Sequence, residues 1–158
     1  CSGDYVAFQM DNIGAWGWKN ELLMAYWSYR NPRGTVPIVT GNAMELVLKF
    51  EIYVVNPWTS IPMEITFGAP VSPPDGGNTR DQKPACVYKW QPWEKTGSYQ
   101  TNGWVTIEIP LTNFKDYTSG AAVTNWSPYC DMTFMLFGAA TEPQNFFMCL
   151  DNIRIENK

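Results

Sequence analysis

The clearest signal in the chain is an alternation of apolar and polar positions with a period of two. From Leu46 to Val54 every second residue is a large apolar one, and most of the residues between them are charged or aromatic. Successive side chains of a β-strand point to opposite faces, so this period is typical of a strand with one face buried. Pro57 closes the run because proline has no N–H to donate to a neighbouring strand.

Other segments carry the same signal more briefly. Ile61 to Phe67 and Val105 to Ile109 alternate clearly. Glu21 to Arg30 also places apolar residues at helical spacing, but its aromatic content favours a strand. Shorter candidate strands are Tyr5–Met10, Ala85–Trp90, Met132–Phe137 and Phe146–Ile155. With twelve Gly and twelve Pro spread among them, these segments predict an all-β fold, an antiparallel two-sheet β-sandwich of the jelly-roll type.

The composition is rich in aromatic rings and poor in charge. The 158 residues include 8 Trp, 8 Tyr and 8 Phe, and only 16% of the residues are charged, against about 25% in an average soluble domain. The length suits one domain, residues 1–158, with a sizeable core. So many rings either fill that core or lie on the surface to bind something.

Charge and residue usage argue against several classes of function. The net charge of -4 and the pI of about 4.7 give nucleic acid and anionic lipid little attraction. The absence of histidine removes the usual general base and the commonest metal ligand. There is no run of 18 apolar residues and no signal-peptide pattern, so we expect a soluble mature protein or fragment. The four cysteines show no C-x-x-C spacing and are expected to be core thiols or one disulfide.

The aromatic residues favour carbohydrate binding. A neutral sugar ring has flat C–H faces edged by hydroxyls, and it binds to bare indole or phenol faces with amide and carboxylate groups nearby. The alternative is that the rings simply fill the core. The candidate binding rings lie in segments containing Gly or Pro, or in an adjacent pair; they are Trp16, Trp18, Tyr26, Trp27, Trp90 and Trp93.

The remaining tryptophans are assigned by their position. Trp104 has the opposite parity to the apolar residues of Val105 to Ile109, so it points away from the core unless a loop covers it. Trp58 stands at a strand end, after a proline, and is expected to be structural. Trp126 lies in a polar turn and is a candidate for the rim of a cleft.

Three segments resemble a known protein family. The first is KFEIYVVNPW at residues 49–58, the second is YKWQPWEKTGSYQTNGWVTIEIPLTNF at residues 88–114, and the third is CLDNIRI at residues 149–155. They resemble the C-terminal glycan-binding domain of Bacteroidetes surface glycan-binding proteins. The resemblance covers most of the chain after about residue 45, and the middle segment is its most specific part.

The resemblance implies a location, a ligand and a set of partners. Such proteins are outer-membrane lipoproteins that face outward from the cell and hold a plant or microbial polysaccharide beside a glycan import complex, without cleaving it. The implied ligand is a β-linked hemicellulose or glucan such as xyloglucan, β-glucan or mannan. The implied platform is Trp16 or Trp18 together with Tyr26 and Trp27, and Cys1 is then a candidate for the lipidated residue. A monomer without catalytic residues is expected.

Two other functions stay open at this point. A jelly-roll glycoside hydrolase acting on a β-glycan needs two carboxylates about 5 to 10 Å apart across a cleft. Glu51, Glu64 and Glu108 share outward parity on separate strands and are candidates to converge. The third possibility is a structural or adhesive sandwich without a ligand, which predicts that the tryptophans are buried.

A structural calcium ion is a further expectation. Asp151 shares parity with Cys149 and Ile153, so its carboxylate is expected to point inward, where an unpaired charge is costly. Calcium bound by oxygen ligands is one way to satisfy it, with Asp11 as a second ligand. Backbone N–H groups or the neighbouring Arg154 are the alternative.

Overall fold

The chain folds into β-strands joined by turns. A computed structural model describes residues 4–10, 19–25, 38–68, 86–126, 129, 131–137 and 146–158. The strands in these ranges are β1 (Val6–Met10), β2 (Lys19–Ala25), β3 (Leu46–Val54), β4 (Met63–Gly68), β5 (Cys86–Trp90), β6 (Val105–Pro110), β7 (Lys115–Asp116), β8 (Asp131–Phe137) and β9 (Phe146–Asn157). The helical segments of this part of the chain are short 3₁₀ turns at Ala43–Glu45, Pro92–Lys95 and Leu111–Asn113. None of them has the length and hydropathy that a membrane crossing requires.

The strands form two antiparallel sheets that pack face to face. One sheet has the order β1-β9-β3-β6, and the other has the order β2-β8-β4-β5-β7. Phe50 of β3 meets Phe134 of β8 across the interface, with ring centroids 5.4 Å apart and ring planes at 82°. The edge-to-face arrangement is the one that aromatic quadrupoles favour. The all-β, two-sheet sandwich predicted from the sequence is confirmed.

The period-two pattern fixes which side chains enter the core. Leu48, Phe50 and Ile52 of β3 are fully buried, and the residues between them face outward. The predicted strand from Leu46 to Val54 coincides with β3. The ambiguous segment from Glu21 to Arg30 is a strand as far as Ala25, and its remainder lies outside the described residues.

Trp58 anchors the turn between β3 and β4. Its indole is fully buried, and its Nε1 donates hydrogen bonds to the carbonyl oxygens of Ser60 at 2.7 Å and Ile61 at 2.8 Å. Ile61 has φ 68, a left-handed conformation that side chains with a branched Cβ rarely adopt, and these bonds hold it there. This is why β4 begins at Met63 and not at Ile61. The structural assignment of Trp58 is confirmed.

Trp126 is also part of the core. It is buried and packs edge to face against Phe67, Phe114 and Tyr129, at ring-centroid distances of 5.3, 5.8 and 5.5 Å. The prediction that it lines the rim of a cleft is therefore wrong. The polar residues next to Trp126 in sequence suggested an exposed position, but the ring itself points into the core.

An extra residue in β9 shifts the register of the four-stranded sheet. Lys49 pairs with Arg154 and Glu51 with Asp151, so three steps along β9 correspond to two along β3. Asn152 lies within this bulge with φ 51, which asparagine tolerates better than most residues.

The bulge reverses the parity of β9 and explains the position of Asp151. Before it, Met148 and Leu150 belong to the core, and after it Ile153 and Ile155 pack against the core. Asp151 is exposed, and its Oδ1 accepts a hydrogen bond from the backbone N–H of Asn152 at 2.6 Å. The prediction that this carboxylate points inward is wrong, and the buried charge that motivated calcium is absent at Asp151.

Two of the cysteines have distinct states. Cys149 is fully buried and disulfide-bonded. Cys86 is a free thiol in the core, and burial raises its pKa to about 12. The chain thus contains both a disulfide and a core thiol, the two alternatives that the sequence left open.

A small ion-pair network lies on the outer face of the four-stranded sheet. Lys49 Nζ is 2.8 Å from Oε1 of both Glu108 and Glu156, and Arg154 Nε is 3.1 Å from Oε2 of Glu156. Hydrogen bonds to Glu108 and Glu156 raise the pKa of Lys49 above its usual 10.5. Hydrogen bonds from Lys49 and Arg154 lower the pKa of Glu156 below its usual 4.5.

The network predicts a loss of stability in acid. Because the folded-state pKa of Glu156 lies below its unfolded value, its contribution is complete above pH 4.5 and is lost as the pH falls through the folded pKa. We expect Lys49→Met to remove part of the difference in unfolding free energy between neutral and acidic pH. Urea unfolding at a series of pH values measures this. Lys95→Met, at an exposed lysine with no ion pair in the described chain, is the control, and an equal change in both variants would contradict the assignment.

The Trp58 anchor predicts a second stability effect. Trp58→Phe removes part of a fully buried ring and leaves two carbonyls without their indole donor, so we expect a loss of about 2–4 kcal/mol in unfolding free energy. Trp104→Phe, at a half-buried ring outside the core, is the matched variant and is expected to cost less than about 1 kcal/mol. Similar losses in the two variants would show that Trp58 is not an anchor.

Candidate functional site

The outer face of the five-stranded sheet has an unusual composition. Met63, Ile65 and Phe67 of β4 point into the core, so Glu64 and Thr66 between them point away from it. An outward sheet face is normally solvated. Here four outward-facing residues of β4 and β8 are only 4% to 8% exposed; they are Glu64, Thr66, Thr133 and Met135. We call these four residues the polar floor, since three of them are polar.

Strand register places the polar floor in two adjacent rows. Glu64 lies between Met135 of β8 and Lys89 of β5, and Thr66 lies between Thr133 of β8 and Val87 of β5. Lys89 Nζ is 3.0 Å from Glu64 Oε1. The lysine side chain is 57% exposed and the glutamate side chain 10%, so this ion pair connects the floor with the surface. The pairing offsets the cost of burying a carboxylate.

The predicted aromatic platform adjoins this face along the sequence. Trp18 immediately precedes β2, and Tyr26 and Trp27 immediately follow it. β2 is the edge strand of the five-stranded sheet, paired with β8 from Lys19 opposite Phe137 to Ala25 opposite Asp131. Trp16, Trp18, Tyr26 and Trp27 themselves lie outside the described residues. Their role in binding stays a prediction.

Trp90 packs at one end of the sandwich. Its ring is half-buried and contacts Phe50, Trp58 and Tyr99 edge to face, with centroids 5.6, 5.5 and 5.7 Å apart. Burial raises the pKa of the Tyr99 phenol in this group of rings. The core therefore buries much of the Trp90 ring, and only the remaining surface is available to a ligand.

Trp93 follows Trp90 in the 3₁₀ turn Pro92–Lys95. It is half-buried and packs against the core, and its indole N–H is buried without a hydrogen-bond partner in the described chain. An unpaired buried donor costs about 1–3 kcal/mol. Trp90 ends β5, which lies three strands away from β2 in the same sheet, and Trp93 follows in the 3₁₀ turn.

A second group of rings lies on the opposite sheet and was not assigned to a site from the sequence. Tyr5, Tyr53 and Trp104 cluster on the outer face of the four-stranded sheet, with Trp104 6.3 Å from Tyr5 and 6.1 Å from Tyr53 between ring centroids. Trp104 points away from the core, as its parity predicts. The parity of Tyr53 within β3 was the available signal, but nothing local shows that residues 5, 53 and 104 meet.

The three candidate catalytic carboxylates do not converge. Glu64 lies on the five-stranded sheet, whereas Glu51 and Glu108 lie on the four-stranded sheet, and all three face away from the core between the sheets. Glu64 pairs with Lys89 and Glu108 with Lys49, while Glu51 accepts a hydrogen bond from Asn152 Nδ2 at 3.2 Å. Glu64 therefore cannot form a catalytic pair with either of the others.

The described chain also contains no cluster of three or more Cys, Asp or Glu side chains that could hold a metal ion. Asp151 is exposed, and Asp11 lies outside the described residues. The suggested calcium pair Asp151 and Asp11 therefore stays a prediction without support from a buried charge.

Comparison with known families gives a match over nearly the whole chain. Residues 1–157 match the profile of a family described as "Surface glycan-binding protein B xyloglucan binding domain". A comparison with curated proteins gave no match.

Solved structures share the fold. A surface glycan-binding protein, PbSGBP-B from Prevotella bryantii, matches 99% of this chain with a TM-score of 0.67 and 19% identity. SGBP-B from a complex xyloglucan utilization locus in Bacteroides uniformis matches 98% of it with a TM-score of 0.51 and 18% identity. This chain spans 48% and 39% of the length of those two proteins. A family 30 carbohydrate-binding module of a cellulosomal cellulase from Clostridium thermocellum matches 97% of this chain and 98% of its own, with a TM-score of 0.51 and 13% identity.

The resemblance seen in the sequence is thus confirmed, and the fold is that of carbohydrate-binding β-sandwiches. Because the profile match extends over residues 1–157, this chain belongs to the surface glycan-binding protein B xyloglucan-binding domain family.

Proposed function

We propose that this chain binds an extended, neutral, β-linked polysaccharide on the outer face of the five-stranded sheet, without cleaving it. The observation that carries the proposal is the buried polar floor on that face, next to an edge strand with candidate platform residues at both ends. Trp16 or Trp18, Tyr26 and Trp27 are the proposed platform. Xyloglucan is the first candidate ligand, since the family description and the description of the Bacteroides uniformis relative both name it.

Ring stacking supplies the affinity in this proposal. A sugar that covers about 100 Å² of an indole face gains roughly 2.5 kcal/mol at about 25 cal/mol per Å². Three rings gain about 7 kcal/mol, and association costs of at least about 4 kcal/mol offset much of it. Stacking alone thus leaves about 3 kcal/mol, a dissociation constant of several millimolar. Hydrogen bonds to the sugar hydroxyls supply the rest of the expected affinity, which lies between about ten micromolar and millimolar. Such weak binding suffices for a polymer that offers many equivalent segments.

The polar floor and the end of β5 supply orientation. Lys89 presents an exposed ammonium as a hydrogen-bond donor, and its pairing with Glu64 holds that ammonium over the face. Trp90 and Trp93 are proposed to contact the glycan through the parts of their rings that the core leaves uncovered. Their contribution is therefore smaller than that of the platform rings.

The cellular setting is part of the same proposal. The family name supports a position at the cell surface. We propose that the protein is an outer-membrane lipoprotein that faces outward, with Cys1 as the lipidated residue, and that it passes polysaccharide to a glycan import complex. One monomeric domain, residues 1–158, is proposed to carry the binding site.

The platform predicts which substitutions abolish binding. We expect Trp18→Ala and Trp27→Ala to weaken retardation in affinity gels containing xyloglucan, mixed-linkage β-glucan, mannan or xylan, by about tenfold or more in dissociation constant. Tyr117→Ala removes a ring that is 48% exposed and distant in sequence from the platform, and serves as the matched control. If both tryptophan variants bind every retarding glycan as well as the parent does, the platform assignment is wrong. If the parent is not retarded by any of them, a structural or adhesive sandwich without a ligand is favoured.

We expect no turnover, because Glu64 lies on the other sheet from Glu51 and Glu108, and the Glu51 and Asp151 carboxylates already accept hydrogen bonds from Asn152. A glycosidase needs its acid and its nucleophile or base on either side of one glycosidic bond, about 5 to 10 Å apart, and Glu64 is divided from Glu51 and Glu108 by the whole sandwich. We expect no release of reducing ends from the same polysaccharides at high protein concentration over a day. Release that disappears in Glu51→Gln or Glu64→Gln would establish the hydrolase alternative.

A further inference from the structure

The cluster of Tyr5, Tyr53 and Trp104, which we call the second aromatic patch, lies on the sheet opposite the proposed platform. Tyr5 precedes β1, Tyr53 lies in β3, and Trp104 precedes β6. Tyr5 is 36% exposed and the other two rings are half-buried, and none of the three belongs to the core. A contiguous group of large rings on an outer sheet face is unusual in a monomeric domain unless it binds something.

A row of polar side chains runs beside the patch. The register places Asp151 opposite Glu51, and Glu51 opposite Thr106, across three neighbouring strands. These residues are two positions along their strands from Tyr53 and its neighbours, about 6.7 Å away. The polar row thus runs beside Tyr53 and Trp104, and Tyr5, which precedes Val6 opposite Leu150, lies at the Asp151 end of the polar row.

The polar row presents two carboxylates that face each other, and no cation of the described residues lies between them. Like charges directly opposite on a sheet are destabilising. The cations of this face are engaged elsewhere, since Lys49 pairs with Glu108 and Glu156, and Arg154 with Glu156. Within the described chain, Glu51 accepts only from Asn152 Nδ2, and Asp151 only from the backbone N–H of Asn152. Among the described residues, one oxygen of each carboxylate has no hydrogen-bond donor.

This pairing of rows restricts the chemistry of a ligand. A pyranose is amphipathic in the same way, with a C–H face that packs on a ring and a rim of hydroxyls that donate to carboxylates. An anionic ligand is disfavoured because both carboxylates repel it and the cations described on this face, Lys49 and Arg154, are already paired. An ammonium group is attracted by ring faces and by carboxylates alike, so a small organic cation is the competing ligand that the experiment below includes.

We infer that Tyr5, Tyr53 and Trp104, together with Glu51, Asp151 and Thr106, form a second binding site for a neutral sugar. The ligand class rests on the proposed function, but the site does not, since it lies on the other sheet. The bulge at Asn152 is what places Asp151 on the outer face beside the rings. The domain therefore has two sugar-binding faces that point in opposite directions.

The experiment follows the indole N–H signal of Trp104 by two-dimensional NMR. The signal is assigned as the one that is missing in Trp104→Phe. Cellohexaose, a xyloglucan oligosaccharide and mannohexaose are titrated into the full chain, and into a Trp18→Ala, Trp27→Ala double variant that lacks the proposed platform. We expect the Trp104 signal to shift with at least one oligosaccharide in both proteins.

Variants of the patch test the assignment further. Tyr5→Ala is expected to raise the dissociation constant measured from the Trp104 shift by about three- to tenfold, while Tyr117→Ala leaves it unchanged. Tetramethylammonium chloride is titrated in parallel as a test cation. Glu51→Gln distinguishes a cation from a sugar, because it removes the negative charge that binds a cation but keeps a group that can hydrogen-bond to a sugar hydroxyl. Sugar binding is expected to survive Glu51→Gln.

The outcomes distinguish this inference from the proposed function. If platform indoles shift and the Trp104 signal does not, the second site is wrong and the proposed function stands. If no indole signal shifts with any oligosaccharide, both fail. A Trp104 shift with tetramethylammonium alone, lost in Glu51→Gln, would replace the sugar site with a cation site. A shift in the parent that vanishes in the double variant would show that it is only transmitted from the platform.

Discussion

Edge-to-face packing of aromatic rings between the two sheets is the interaction on which the rest of this structure depends. Phe50 of one sheet meets both Phe134 and Trp90 of the other, and Trp90 in turn meets Trp58. With these contacts in place, the inward-facing residues of β3, β4, β5 and β8 are buried in the core. The period of two then forces every intervening residue onto an outer face. The polar floor and the second aromatic patch are both consequences of that division, one on each sheet.

The local pattern of the chain predicted which face of a sheet each side chain occupies better than it predicted which residues that side chain contacts. The alternation in β3 is regular from Leu48 to Val54, so the buried side of the strand follows from the sequence alone. The prediction for Asp151 was wrong because an extra residue at Asn152 reverses the parity of β9, and a bulge leaves no mark in a pattern of apolar residues. Trp126 was misplaced for a related reason, since polar neighbours in sequence do not show that its ring packs on Phe67 and Phe114.

Sites on a sheet face are built by register, and register is a long-range property. The ion pair of Glu64 with Lys89 joins residues 25 positions apart, and the rings of Tyr5 and Trp104 meet although 99 positions separate them. The sequence shows that each such side chain faces outward, and its charge or aromatic character shows what the side chain can bind. Which strands are neighbours, and with what offset, depends on the turns and on the packing of the whole core. This is why candidate residues could be named from the sequence, while their grouping required the structure.

Two weak sugar sites on opposite faces act differently from two sites on one face. The backbones of the two sheets lie about 10 Å apart, and the outward side chains extend that distance further. A stiff, extended glycan that lies flat on one face does not bend around the sandwich to reach the other, so one chain segment cannot occupy both sites at once. Avidity through a single segment is therefore excluded by geometry. The same geometry favours contact with two neighbouring polysaccharide chains, or with two distant segments of a flexible branched one. A domain with both of the proposed sites would hold a network of glycan more firmly than any isolated oligosaccharide.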